Sequence, residues 1–339
     1  MIKFIHLIFM LLSLTFVISP SVADNGVRIG GGPKDGEYIH IAKSLCDALG
    51  TLFSCNSLET KGTIANKEHL EKGEVEFAIA KSNIADGWMK DQKFAARHTI
   101  IRRIGDESLF VFGKKETLNA IGSWLGVREN ASLISIGLPG EKSGDTALFN
   151  FLKAAEGSPL VNIDIKMYPG RPELVKAVTD GKVQLGFIGQ IPNPDNPLFK
   201  AINDAGLMIM GVVDPDMISF GDTFRIKPVT VKNAKWFGFS GSAQQIETAN
   251  VPAAILAVKP EAMEGRSAKV QEAAIKKIQG AAEADLLPKQ GWMQQLANTA
   301  SLKAGPSLEK VMTSMKSAAD GAKERLNQIR ATGLKAVTQ

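Results

Sequence analysis

The sequence predicts an α/β fold built from two globular units. Three observations carry this. Short apolar strands alternate with helices from Val27 onward, and the alternation begins again near Leu133. Each half also contains the same phrase, a helix end, a glycine turn and an apolar strand holding small residues. It reads Leu70-Glu71-Lys72-Gly73-Glu74-Val75-Glu76-Phe77-Ala78-Ile79-Ala80 in the first half. In the second it reads Val178-Thr179-Asp180-Gly181-Lys182-Val183-Gln184-Leu185-Gly186-Phe187-Ile188. Strands separated by helices of this length form mainly parallel sheets with helices on their faces. At 339 residues and 44% hydrophobic, the chain is long enough for two cores.

In order, Val27 to Gly30 reads as a strand, followed by a helix near Gly36 to Leu49. Phe53 to Thr60 is a strand, and Ile64 to Lys72 a helix that Gly73 can cap. Val75 to Ala80 is a buried strand, and Ser82 or Asn83 caps the next helix. Residues 99–113 hold two strand candidates broken by Gly105-Asp106, then a helix near Thr117 to Val127. The second half brings a strand at Leu133 to Leu138, a helix at Asp145 to Ala155 and an alternating strand at Val161 to Tyr168. A helix at Pro172 to Thr179, a strand at Val183 to Ile188, a helix near Asp195 to Ala205 and a strand at Leu207 to Val213 follow. Residues 267–287 and 307–331 are Ala/Lys/Glu-rich with helical spacing. They read either as surface helices with solvated charged faces or as a partner-binding pair.

Composition excludes several classes. Gly and Pro are ordinary, so neither disorder nor a collagen-like repeat is implied. A formal charge of +5 over this length is a weak field and does not argue for nucleic acid. Met1-Ile2-Lys3, the apolar run Phe4 to Ile18, Ser19-Pro20 and the small residues Ser21-Val22-Ala23 read as a secretory signal peptide cut after Ala23. The rival, an uncleaved anchor, has a run shorter than the ~20 residues a span needs. Export to an oxidising compartment favours a disulfide between Cys46 and Cys55, contributing about 2–3 kcal/mol on the chain-entropy account. Two free buried thiols are the alternative.

Catalytic and metal chemistry find little support. His40, His69 and His98 lack a metal-ligand spacing, and there is no Asp-rich calcium loop or Gly-x-Ser-x-Gly elbow. No metal, cofactor or catalytic residue is expected, and the chain reads as a binding protein rather than an enzyme. The turns after strands are the informative places. Gly30-Gly31-Gly32-Pro33 exposes amides before a helix, as does Pro139-Gly140-Glu141-Lys142-Ser143-Gly144-Asp145-Thr146, and such amides favour anions. Each turn reads equally as a structural turn or cap. Lys81-Ser82-Asn83 and Gly189-Gln190 end matching strands in the two halves, which suggests a cleft between lobes.

Together these residues resemble the TAXI family of TRAP transporter solute-binding receptors. The resemblance runs from Val27-Arg28-Ile29-Gly30-Gly31-Gly32 through Glu59-Thr60-Lys61-Gly62-Thr63-Ile64-Ala65-Asn66 and the two repeated phrases. It includes Ile136-Gly137-Leu138-Pro139-Gly140 and ends near Val251-Pro252-Ala253. It implies a type II periplasmic binding protein, α/β with two lobes. Residues 24–128 with about 228–339 form lobe 1 and its helical tail, and 129–227 form lobe 2. The implied molecule is a monomer that closes on a small solute and passes it to membrane transporter subunits. A sensor adaptor and a binding protein for an ABC transporter are the alternatives on the same fold, and an exported enzyme stands behind them. By position, the implied ligand contacts are Gly31, Gly32, Tyr38, Thr60, Gly62, Thr63, Lys81, Ser82, Asn83, Ser143, Thr146 and Gln190. The family usually carries Gln and Asp where this chain has Lys81 and Asn83. That exchange favours an anionic solute, a carboxylate or amino acid. It also leads to the expectation that Lys81→Ala weakens binding at little cost in stability.

Overall fold

Apolar residues at alternate positions place a strand at the centre of each half, and two longer strands tie the halves together. A computed structural model describes residues 26–34, 36–192, 196–217, 223–232, 244–263, 265–288 and 308–337. The expected signal peptide lies outside these residues. No helix among the described residues is long and apolar enough to cross a membrane.

In the first half β1 (Gly26–Gly30), β2 (Ser54–Leu58) and β3 (Phe77–Lys81) run parallel in the order β2-β1-β3. The crossovers are α1 (Glu37–Leu49) and α2 (Thr63–Glu71). Two short helices, α3 (Ser82–Trp88) and α4 (Gln92–Arg97), lead into β4 (His98–Gly113). After α5 (Lys115–Ile121) and α6 (Trp124–Glu129) the pattern repeats. It runs β5 (Ser135–Pro139), α7 (Gly144–Lys153), β6 (Asp164–Tyr168), α8 (Arg171–Thr179) and β7 (Leu185–Gln190), in the order β6-β5-β7. The remaining elements are α9 (Pro197–Asp204), β8 (Met208–Gly211), β9 (Arg225–Lys232), β10 (Gln244–Val258), α10 (Gly265–Gly280), α11 (Glu283–Leu286), α12 (Leu308–Ala319) and α13 (Ala322–Val337).

The repeated phrase folds the same way twice. Gly73 and Gly181 sit at φ 69° and 74°, and each donates its N–H to a carbonyl of the preceding helix, Leu70 at 3.0 Å and Val178 at 3.1 Å. Only glycine adopts this backbone without strain, so each turn stops its helix and launches the central strand. Alternation along those strands then divides side chains between two layers. Phe77 and Ile79 enter one apolar cluster with Ile29 and Leu45, while Ala78 and Ala80 enter another with Leu70 and Phe94. In the second half Leu185 and Phe187 face a cluster around Trp124, and Ile188 faces one around Phe199.

The link between the halves is β4 and β10. Residues 98–108 of β4 pair antiparallel with 250–258 of β10, which also pairs with β3. Beyond Ser108, β4 pairs with β7 and β8, and residues 244–250 of β10 pair with β9. Both strands therefore pass from one lobe to the other at Glu107-Ser108 and Asn250-Val251. Polar side chains tie this crossing: Ser108 Oγ bonds Asn250, whose Nδ2 donates to the Thr248 carbonyl at 2.8 Å. The fold is thus the expected two-lobed α/β architecture, with parallel pairing confined to the three outer strands of each lobe.

Three expectations change. Residues 98–113 form one strand rather than two, because Gly105 at φ 55° and a register shift opposite Val251 and Ala253 bend β4 without ending it. The helix expected near Thr117 to Val127 breaks into α5 and α6 at Gly122, φ 78°. The third concerns the expectation that everything after about residue 228 joins the first lobe. β9, the first part of β10, α12 and α13 sit on the second. Leu326, with Met315 and Ile329, buries against the Ile121 and Trp124 cluster, and Arg325 Nε donates to the Ala120 carbonyl at 2.9 Å. An apolar stripe on a surface-looking helix goes where a complementary groove exists, and lobe 2 supplies it.

A Cβ at Gly122 would lie 1.7 Å from the Ala318 carbonyl oxygen. Gly122→Ala is therefore expected to cost about 1–3 kcal/mol and to raise amide hydrogen exchange across residues 308–337. Unchanged exchange there would mean the helices do not seat on this glycine.

Candidate functional site

The C-terminal ends of β1, β3, β5 and β7 open toward the gap between the lobes, so the turns that follow them meet there. The lobes touch. Ile64 N donates to the Lys142 carbonyl at 3.2 Å, and Lys142 Nζ reaches both oxygens of Glu68 at 2.7 and 2.8 Å. Glycines permit the approach: a Cβ at Gly144 would fall 2.6 Å from Thr63 Oγ1 and 3.0 Å from Lys81 Cε. Between the lobes lies a cavity of about 750 Å³ walled by both, within the range of small-molecule sites.

Its base is a buried charge network. Lys81, at the end of β3, is 1% exposed. Its ammonium donates to Glu107 of the crossing strand and lies 3.6 Å from Asp145 Oδ1 of α7. Tyr38 of α1 donates its hydroxyl to the other oxygen of Glu107, and Lys81 Nζ is 6.0 Å from its ring centroid. Burial, with the charge of Glu107, pushes the Tyr38 phenol well above its ordinary range, so it stays a donor. In lobe 2, Asp145 Oδ1 accepts from Gly189 N at 3.0 Å. Its Oδ2 accepts from Arg171 Nε and Nη2 at 3.0 and 2.9 Å. Arg171 also donates to Gln190 and to the Gly189 carbonyl. Gln190 then crosses the cleft, its Nε2 donating to Glu37 Oε1 at 2.6 Å, where Asn196 Nδ2 also donates at 2.5 Å. Burial raises the Glu37 carboxyl above its ordinary value, against the lowering effect of the Asn196 bond and of the charges on His40 and Arg171.

Of the residues that the sequence singles out, Tyr38, Thr60, Gly62, Lys81, Ser143 and Gln190 line the cavity. Gly31, Gly32, Thr63, Ser82, Asn83 and Thr146 do not. Gly31 and Gly32 give close packing, since added Cβ atoms would meet Ile39 Cα at 2.8 Å and Tyr38 Cβ at 3.1 Å. Thr63 is wholly buried behind Gly144. Ser82 and Asn83 open α3 and are buried away from the wall, with the Ser82 hydroxyl and both Asn83 amide atoms lacking protein partners. Thr146 turns its hydroxyl to the Gly140 carbonyl at 2.8 Å, and Ser143 caps α7 by accepting from Thr146 N at 3.1 Å. The cysteines form a disulfide joining α1 to β2, Cα to Cα 5.3 Å.

Sequence reasoning missed Glu37, Glu107, Asp145 and Arg171. Glu107 carries a readable signal, an acid just before the apolar run Leu109 to Phe112. Asp145 reads as a helix cap, and Arg171 sits after Pro169-Gly170 with nothing local to mark it.

No family model matches the chain, and no curated protein matches it. Solved structures match it at low similarity. The effector-binding domain of QuiR in complex with shikimate is 11% identical with a TM-score of 0.45, covering 74% of this chain and 95% of that one. An amino acid ABC transporter substrate-binding protein, AbpA from Streptococcus pneumoniae bound to L-arginine, is 13% identical with a TM-score of 0.43, covering 88% and 96%. Protein AF1704 from Archaeoglobus fulgidus is 14% identical with a TM-score of 0.42, covering 92% and 99%. Similarity this distant leaves the ligand to be argued from the cavity itself.

Two outcomes follow from the network. Removing the Lys81 ammonium leaves Glu107 and Asp145 buried without it. Lys81→Ala is therefore expected to cost about 3–5 kcal/mol in urea unfolding at pH 7, contrary to the small stability cost that the sequence suggests. A loss under ~1 kcal/mol, the scale of an exposed pair, would mean the ammonium is solvated. For Glu37, a raised folded-state value means the folded chain holds the proton more tightly than the unfolded chain. Its contribution to stability is present below about pH 4.5 and is lost as pH rises through the folded-state value. Glu37→Gln is thus expected to unfold at a higher temperature than the parent at pH 7 and at the same temperature near pH 3.5. Equal melting at both would show that Glu37 carries no burial penalty.

Proposed function

We propose that this chain is a solute receptor whose lobes close on a small organic molecule. The observation that carries the reading is the cavity between lobes that already touch, walled from both sides. A molecule held there makes contacts in the closed state that it loses in the open one. Binding therefore favours closure, and the closed shape is the signal a partner reads. The ionisable groups at the cavity base bond one another, which suits holding and orienting a molecule rather than transforming it. The resemblance to TAXI receptors and the leader-like N-terminus support an exported receptor delivering its solute to a TRAP-type membrane transporter. The solvent-facing sides of α12 and α13, on lobe 2, are available to such a partner. The anionic solute inferred from Lys81 loses its main support, because that ammonium is engaged by Glu107 and Asp145.

The test is to strip the purified mature protein by unfolding and refolding and to analyse what is released by mass spectrometry. A stoichiometric small molecule is expected. Small-angle scattering should show the stripped protein expanded and the released fraction contracting it. No released molecule, with no change in the radius of gyration, would overturn the reading.

A further inference from the structure

The cavity described above holds more charge than its ion pairs use, and the surplus is net negative. This inference rests on the reading of that cavity as a solute site. Three cations on its wall already have carboxylate partners: Lys81 with Glu107 and Asp145, Arg171 with Asp145, and Lys142 with Glu68. Asp145 is saturated, with Gly189 N on one oxygen and the Arg171 guanidinium on the other. Glu37 differs. It lines the cavity, its Oε1 accepts from two neutral amides, and among the described residues its Oε2 takes no hydrogen bond and neither oxygen has an ion-pair partner. Its two amide donors, Gln190 and Asn196, reach it from the opposite lobe, so closure itself fixes where the open oxygen stands. At the rim, Glu141 and Glu173 line the cavity without an ion pair among the described residues, against one such cation, Lys61.

The geometry points to a solute bearing an ammonium or guanidinium group, with Glu37 as its counter-ion. A carboxylate-bearing solute would meet a single unmatched cation, Lys61 at the rim, against three unmatched carboxylates among the described residues. A cation meets those carboxylates as partners, and a charge-assisted bond to the half-buried Glu37 is stronger than one at the surface. The neutral amides on Oε1 position the carboxylate without cancelling its charge. Burial raises the Glu37 carboxyl despite the nearby charges of His40 and Arg171. A bound cation would supply the missing partner and complete the closed state.

Thermal unfolding of the mature chain tests this with putrescine and agmatine as cations, glutarate and adipate as anions, and 1,4-butanediol as the neutral control. The cations are expected to raise the melting temperature. Glu37→Gln, which keeps both amide contacts through its carbonyl oxygen, should require at least about tenfold more of either for the same rise over its own baseline. Stabilisation by the dicarboxylates and not the amines would overturn the assignment while leaving the receptor reading intact. Equal amine responses in parent and Glu37→Gln would overturn the role of Glu37. If no probe acts, the molecule released on unfolding decides: an amine or guanidine supports the assignment and a molecule without either overturns it. If nothing is released as well, the receptor reading falls with it.

Discussion

The rest of the site depends on one constraint: the Lys81 ammonium lies almost wholly out of water. An isolated ion there is untenable, so two carboxylates have to be brought to it. They arrive from different places, Glu107 from the strand that joins the lobes and Asp145 from the first turn of α7 in lobe 2. The pair therefore fixes more than local charge. It sets how far β3 lies from α7 and so how closely the lobes meet. Space around the ammonium is equally constrained, since a Cβ at Gly189 would come within 2.6 Å of Lys81 Nζ.

The same arrangement separates what is rigid from what can move. Each lobe has its own apolar layers on both faces of its sheet, and Ile191, just after β7, also packs into the first lobe's cluster. Across the cleft the outer contacts are few and polar. The Lys142–Glu68 pair is about half exposed, worth roughly 0–1 kcal/mol. The crossing at Glu107-Ser108 and Asn250-Val251 also reaches the site, because Glu107 belongs to both.

Much of the scaffold was legible locally. A glycine at positive φ between a helix and an apolar strand leaves a signature that survives without neighbours, and Gly73 and Gly181 show it twice. The site was legible only in part. Tyr38, Thr60, Gly62, Lys81, Ser143 and Gln190 stand at strand ends or helix starts that topology directs into the cleft. Thr146 and Asn83 occupy similar positions, yet one hydroxyl turns back to a loop carbonyl and one amide turns into the lobe. A rotation of ~100° per residue along a helix separates facing the cavity from facing the core, and a loosely matched motif does not resolve it. Asp145 shows the limit in the other direction. Its helix-start position invites a capping role, while its oxygens serve Gly189, Arg171 and Lys81.

The sequence by itself determined the alternation of strands and helices, the duplicated turn and the disulfide partners, because these follow from periodicity, glycine geometry and proximity along the chain. Only the tertiary structure decided the sign of the chemistry. Lys81 read as a cation on offer, and folding brought it carboxylates from positions 107 and 145 that no local pattern links to it. Glu37 drew no notice in the sequence, and folding gave it two neutral amides from the far lobe and, among the described residues, no ion pair. Charge balance inside a cavity is a sum over groups distant in sequence. It comes into being when the lobes meet, and cannot be read one segment at a time.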